Sequence, residues 1–149
     1  MLYKRPESVL VVIYTKKQEV LLLQRCDVPD FWQSVTGSLE ATETALQAAK
    51  REVYEETGLV VGDQIHDCQH TERFIIQAPW RARYAPSVTH NTEYTFILPL
   101  PTRQPIHLNP QEHISYQWLP YQVALESVSS CTNKQAILKW VAPLNRVYS

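Results

Sequence analysis

Glycine is scarce in this 149-residue chain: only Gly37, Gly58 and Gly62 occur. Two of the three frame one acidic stretch, so their positions carry information. Cysteine is as sparse. Cys26, Cys68 and Cys131 are odd in number and widely scattered, with no CxxC spacing, which argues against a disulfide framework or a zinc cluster and fits reduced thiols in the cytoplasm. Excess charge is missing too. Fourteen Lys and Arg against 15 Asp and Glu leave a formal charge of −1. That excludes a broad basic footprint for nucleic acid while leaving room for a local cationic pocket. No apolar span approaches the length of a membrane helix. Lys4-Arg5 ahead of the apolar run Val9 to Tyr14 imitates a secretory leader, but Pro6 and Glu7 interrupt it and Lys16-Lys17-Gln18-Glu19 follows without a small-residue cleavage pattern. Internal repeats, linkers and low-complexity segments are absent as well. The length suits one domain over residues 1–149 with a core of its own. The expectation is a soluble cytoplasmic protein with no nucleic-acid, membrane or obligate protein partner.

What is present is concentrated in Gly37 to Leu59, GSLEATETALQAAKREVYEETGL. On a helix Glu52 and Glu56 are i,i+4 neighbours and Glu52 and Glu55 are i,i+3, so each like-charge pair costs roughly 0.2–0.5 kcal/mol. A hard, oxygen-seeking cation such as Mg²⁺ would turn that repulsion into coordination. A solvated acidic face is the ordinary explanation of such a run. It does not account for Gly37, Glu43, Arg51, Gly58 and Leu59 standing at fixed offsets around the triad.

Those offsets resemble the Nudix box, G-x5-E-x7-R-E-U-x-E-E-x-G-U with U bulky and aliphatic. Gly37, Glu43, Arg51, Glu52, Val53, Glu55, Glu56, Gly58 and Leu59 match every specified position. The loop departs from many such boxes in carrying Ser38, Ala41 and Thr42, none at a required carboxylate. Tyr3 to Pro6, Asp30 to Ser38, Arg83 to Pro86, Asn91 to Glu93 and Asn133 to Ile137 are similar to the branch of that family acting on dihydroneopterin triphosphate.

The resemblance implies an α/β fold of α+β type: an α/β/α sandwich on a central mixed β-sheet, with a loop–helix catalytic motif at 37–59. It also implies a Mg²⁺-dependent pyrophosphohydrolase, with Mn²⁺ as a substitute. Its substrate would be a small-molecule pterin triphosphate on the route to folate, or alternatively a nucleoside triphosphate or dinucleoside polyphosphate. A Nudix-fold sensor that binds without cleaving is a further reading, weakened because every box carboxylate is kept. By the same resemblance Glu52 and Glu56 are direct metal ligands, Glu55 contributes directly or through water, and the Gly37 carbonyl is a further ligand. Glu112, in the loop before a late strand, is expected as metal ligand or general base. Glu52 is the other candidate base, and Glu93 is a weaker one that begins a strand and is expected to be exposed. Arg51 and Glu43 are read as structural support, with Arg51 pinning Glu43 or Glu55. Lys4, Arg25 and Thr36 are assigned to the triphosphate. Phe74 and Ser130 are assigned to the substrate. Phe31, Trp32, Trp80 and Tyr84 are further aromatic candidates for stacking, each more simply explained as core.

The rest of the chain reads by pattern. Ser8 to Tyr14 is a β-branched run suited to a strand buried on both faces. Lys16-Lys17 makes a turn, Glu19 to Arg25 returns as a strand, Asp27 to Phe31 is a loop, and Trp32 to Thr36 is a short strand delivering Gly37. Thr42 or Thr44 caps the helix that follows, and Gly58 suits its left-handed end. Leu46, Ala49 and Val53 form the stripe expected to face the core, with Glu52 and Glu56 at its border. Later strands are expected over His70 to Gln77, Glu93 to Leu100 and Ser115 to Leu119. Ala78 to Asn91 and most of Pro101 to Gln111 read as loops. Helices are expected at Tyr121 to Ser127 and Asn133 to Ala142, the second with Ala136, Ile137, Trp140 and Val141 on one face.

Overall fold

The computed structural model describes residues 2–143. Its centre is β1 (Glu7–Thr15), in which Val9 to Ile13 are almost fully buried. The run is apolar without alternation because both faces of the sheet are covered. Val9, Val11 and Ile13 join Leu21, Leu23, Val35 and Phe96 beneath helix α1 (Ala45–Thr57). Leu10 and Val12 join Val20, Leu22, Ala124, Ala136 and Ile137 on the other face, under α3 (Tyr121–Ser127) and α4 (Cys131–Ala136). The expected sandwich is therefore present. The sheet is mixed: β6 (His90–Leu100) runs parallel to β1 along its whole length, and its other edge takes β5 (His66–Ile75) antiparallel.

The opposite edge of β1 makes the site. The hairpin to β2 (Glu19–Arg25) pairs the two strands at Tyr14 and Val20, after which they splay. The expected strand Trp32 to Thr36 fills that splay in two pieces. β3 (Trp32–Gln33) pairs with β2, and β4 (Val35–Ser38) pairs with β1. The break falls at Ser34, whose backbone N–H donates to Asn133 Oδ1 at 2.8 Å while Asn133 Nδ2 donates to Ser34 Oγ at 3.0 Å. A side chain from α4 thus takes a donor that a continuous strand would have given to its neighbour. β7 (His113–Pro120) completes the sheet on the far edge of β2.

Helix α1 starts at Thr44, one of the two expected caps. The Thr44 hydroxyl accepts from Gln47 N–H, and the Gln47 side chain accepts from Thr44 N–H, a reciprocal capping box. Gly58 ends the helix in the left-handed region at φ 79° and donates to the Tyr54 carbonyl. The core stripe needs correction. Leu46 is 42% exposed, while Ala48, Ala49, Glu52, Val53, Glu56 and Thr57 are buried. The helix sets its small residues and carboxylates inward, and this rotates Leu46 out to solvent.

Other boundaries move for local reasons. β5 begins at His66 rather than His70, because a register shift between Asp67 and Thr71, with Gln69 at φ 52°, interrupts its pairing. A short helix α2 (Ala78–Arg81) lies within the expected loop. The last helix is α4 followed by one π-helical stretch at Ile137–Val141, where Ala142 N–H reaches the Ile137 carbonyl. Its inward face holds Ala136, Ile137 and Val141, with Trp140 packed beside them.

Gly58→Ala places a Cβ 3.1 Å from His107 Cβ in a backbone region hostile to L side chains. It should lower unfolding stability by about 1–2 kcal/mol, read as the midpoint of urea denaturation; an unshifted midpoint would contradict this role for Gly58.

Candidate active site

The site is assembled around Arg51. Its guanidinium spans both oxygens of Glu43, Nε to Oε2 at 2.6 Å and Nη2 to Oε1 at 2.8 Å. Nη1 donates to Glu52 Oε2 at 2.9 Å and to Glu55 Oε1 at 3.2 Å. Nη2 also reaches the Ser38 carbonyl at 3.0 Å. The alternatives of pinning Glu43 or Glu55 are both realised. Glu43 in turn accepts the Glu40 N–H, so the loop between β4 and α1 is clipped to the helix by one charged pair. Arg51 holds the Glu43 carboxyl below its usual range despite partial burial, and the guanidinium is correspondingly harder to deprotonate.

Gly37 explains how Glu52 is placed. A Cβ on Gly37 would lie 2.0 Å from Glu52 Oε2. The carboxylate rests on the strand where any other residue would project, and this is the close approach for which glycine is needed. Glu56 lies one turn on, 1% exposed, and its Oε1 has no hydrogen-bond partner. The nearest basic group is His113, with Nε2 4.0 Å away. That imidazole is itself buried, and burial, then Arg25, lowers its pKa to about 4, so it is neutral and no counter-ion. Burial, then the charge of Glu52, pushes the Glu56 carboxyl well up, with Glu112 adding to it and the backbone of Thr36 opposing. Burial raises Glu52 as well, against the favourable charge of Arg51.

Among the described residues no three His, Cys, Asp or Glu side chains converge as a ready-made metal cage. Glu52 leans on Arg51, Glu55 is exposed on the same arginine, and Asn109 donates to Glu112. What fits a divalent cation is the buried pair with one unsatisfied oxygen. Small divalent ions are commonly held by one or two carboxylates, with water and substrate phosphate completing the shell.

A cationic wall faces this pair. Arg25 is held by Asp27 through two bonds of 2.7 Å and lies over the Trp80 ring, 4.9 Å from its centroid. Asp27 also accepts from Trp80 Nε1 and Arg83 Nη2, each at 3.3 Å. Trp80 packs edge-on against Phe31. The Lys4 backbone N–H donates to the Arg83 carbonyl. Burial, then the charges of Arg83 and Arg25, lowers the Lys4 pKa, while Glu52 and Glu112 raise it, so its amine stands between the cations and the acids. Asp27 and Arg83 were not among the expected site residues. Arg83 lay in a segment singled out by resemblance, but Asp27 gave no signal beyond its neighbour Arg25, since Trp80 and Arg83 come from a loop 53 residues and more away.

All of this opens on one cleft of about 1070 Å³. Lys4, Arg25, Thr36, Gly37, Glu52, Glu55, Phe74, Glu112 and Ser130 line it with Arg51, while Glu43 lies behind Arg51 and Glu56 beneath Glu52. Glu112 is fixed there because its carbonyl accepts the Cys26 N–H at the end of β2. Ser130 caps α4 at the cleft edge. Glu93 differs from expectation: it is 5% exposed, because α4 and β5 close over the first half of β6.

Comparison with known proteins agrees with this fold. The NUDIX domain model matches residues 4–141. The dihydroneopterin triphosphate diphosphatase of Escherichia coli K12 is 52% identical over 143 residues, covering 93% of this chain and 94% of that protein. Its namesake from Haemophilus influenzae is 41% identical over 150 residues, covering 98% and 94%. The solved structure of the E. coli dihydroneopterin triphosphate pyrophosphohydrolase superposes with a TM-score of 0.89 at 50% identity, covering 95% of this chain and 98% of that one. A box complete from Gly37 to Leu59, folded as a loop clipped to a helix over two buried carboxylates, and a family model matched over nearly the whole chain, make this protein a member of the Nudix family.

Proposed function

We propose that this chain is a Mg²⁺-dependent pyrophosphohydrolase, with Mn²⁺ as a substitute, that converts dihydroneopterin triphosphate to dihydroneopterin monophosphate and pyrophosphate, a step of folate synthesis. The observation that carries the reading is that Glu52, with Glu56 buried beneath it, shares one cleft with the Lys4, Arg25 and Arg83 cations. A triphosphate offers further negative oxygens to those cations, and a divalent ion bound with it would answer the buried carboxylates. The names and high identity of the relatives support the pterin as the group it carries.

In this mechanism Lys4 and Arg25 bind the phosphate chain, Arg25 through a planar fork already oriented by Asp27 and Trp80. Thr36 hydrogen-bonds the same chain. Glu52, Glu56 and the Gly37 carbonyl would hold the metal, with Glu55 and Glu112 at its margin. A divalent ion there supplies neutralisation of phosphate oxygens and acidifies water. Glu112 takes the proton from the attacking water, because its carboxylate faces the cleft without an arginine on it, whereas Glu52 Oε2 is engaged by Arg51. Arg51 and Glu43 keep the carboxylates aimed. Phe74 offers a half-buried ring to the flat pterin, and Ser130 a hydroxyl at its edge. Among the described residues no helix is long and apolar enough to cross a membrane.

Purified protein with Mg²⁺ should release pyrophosphate and dihydroneopterin monophosphate from dihydroneopterin triphosphate, faster than from a panel of nucleoside triphosphates and diadenosine polyphosphates, and EDTA should stop it. Faster turnover of a nucleotide would overturn the substrate assignment. Glu56→Gln keeps the volume and removes a ligand charge. It should cut turnover by roughly 10²–10³-fold while the metal-free protein melts no lower than the parent. Mg²⁺ should raise the melting temperature of the parent and not of the variant; equal Mg²⁺ stabilisation of both would remove Glu56 from the metal site.

A further inference from the structure

The part of the cleft away from the metal carboxylates holds a second set of unsatisfied groups that phosphate chemistry does not use. Glu93 and Asn91 lie two residues apart on β6 and so share one face of the sheet. Both are buried and both line the cleft. Glu93 Oε1 and Asn91 Oδ1 have no hydrogen-bond partner, and Asn91 Nδ2 is already spent on Ser8 Oγ at 2.7 Å. Two buried acceptors without donors are costly, and a ligand that brings N–H groups would satisfy them.

The surroundings specify the shape of that ligand. In the β5–β6 register Phe74 stands opposite Asn91, which puts it diagonal to Glu93 on the same face. A half-buried ring beside a carboxylate suits a flat heterocycle that stacks on one and donates along its edge to the other. Glu93 stands on β6 beside Thr132 of α4, whereas Glu52 and Glu56 stand on α1, so the two carboxyl sites belong to different elements. Burial pushes the Glu93 pKa up to about 7, with the Thr132 hydroxyl and His70 opposing and Glu72 adding. Donors on a bound ring would favour its charged form.

We infer that Glu93 determines ring specificity, accepting the N3–H and 2-amino hydrogens of the pterin while the ring lies on Phe74. This rests on the pterin reading above. The 2-amino-4-oxo ring presents those two donors side by side, and one carboxylate has the acceptor capacity for both. A ring with oxygen in place of the amino group turns one donor into an acceptor and sets it against the carboxylate. Glu93 takes no part in the chemistry at phosphorus, so it acts on binding of the ring and not on the chemical step.

The test is steady-state kinetics of the parent and Glu93→Gln with dihydroneopterin triphosphate and with its 2-oxo counterpart, under one Mg²⁺ concentration. The parent should prefer the 2-amino ring by at least roughly tenfold in kcat/KM. Glu93→Gln should raise KM for the 2-amino substrate by roughly ten- to a hundredfold with kcat little changed. It should also narrow the preference, since its amide can donate to the 2-oxo group. An unchanged KM and ring preference in a folded variant would overturn the role of Glu93 while leaving the activity intact. A parent that cleaves nucleoside triphosphates and not dihydroneopterin triphosphate would overturn both readings. Should the variant fail to fold, the parent's ring preference decides: equal handling of the two rings overturns the inference.

Discussion

Two carboxylates one helical turn apart, both removed from water and sharing too little positive charge, set the terms for everything around them. Glu52 has Arg51, but Glu56 has only a neutral His113 at 4.0 Å. Burial of a charge without a partner is expensive enough that the group holds its proton instead. A carboxyl whose folded pKa is raised contributes stability below its unfolded value and loses it as pH rises through the folded value. Glu43 has the opposite sign: its pKa is lowered by Arg51, so its contribution is present above the unfolded value and is lost as pH falls. The clip and the buried pair therefore make opposite pH demands, and a cation at the pair would relieve the one that fails as pH rises.

The splay in the sheet sets that pair against the cationic wall. Because β1 and β2 separate after Tyr14 and Val20, the segment from Trp32 to Ser38 can change partners and carry Gly37 under Glu52. The same opening leaves the ends of β1 and β2 exposed to the cleft, where Lys4 and Arg25 reach in. Asp27 keeps Arg25 and Arg83 from relaxing into solvent: it binds both and takes the Trp80 N–H at once. Arg25 is thus oriented before any ligand arrives, which lowers the entropic cost of binding.

How much of this was legible from residues alone depended on the range of the contacts. Local spacing placed α1 and its glycine terminus, and narrowed its cap to Thr42 or Thr44 and the Arg51 partner to Glu43 or Glu55, because those interactions close within the 37–59 stretch. β2 and α3 also fell on their expected limits. Leu46 was misplaced because periodicity assumes that apolar residues face inward, and here carboxylates do. Ser34 was read through as strand because the Asn133 side chain that interrupts it comes from 99 residues away. Glu93 was read as an exposed strand start, since nothing local says that α4 and β5 will cover it. The residues that sequence reasoning missed are those whose partners arrive late in the chain.

The central claim is that the metal-free pair retains a proton which a divalent ion displaces. Calorimetric titration of Mg²⁺ into metal-free protein at pH 7, repeated in buffers of different ionisation enthalpy, measures that proton directly. The account predicts net proton release on binding, growing as pH is lowered toward 6 and abolished in Glu56→Gln. Binding with no proton release, or the same release from Glu56→Gln, would contradict it.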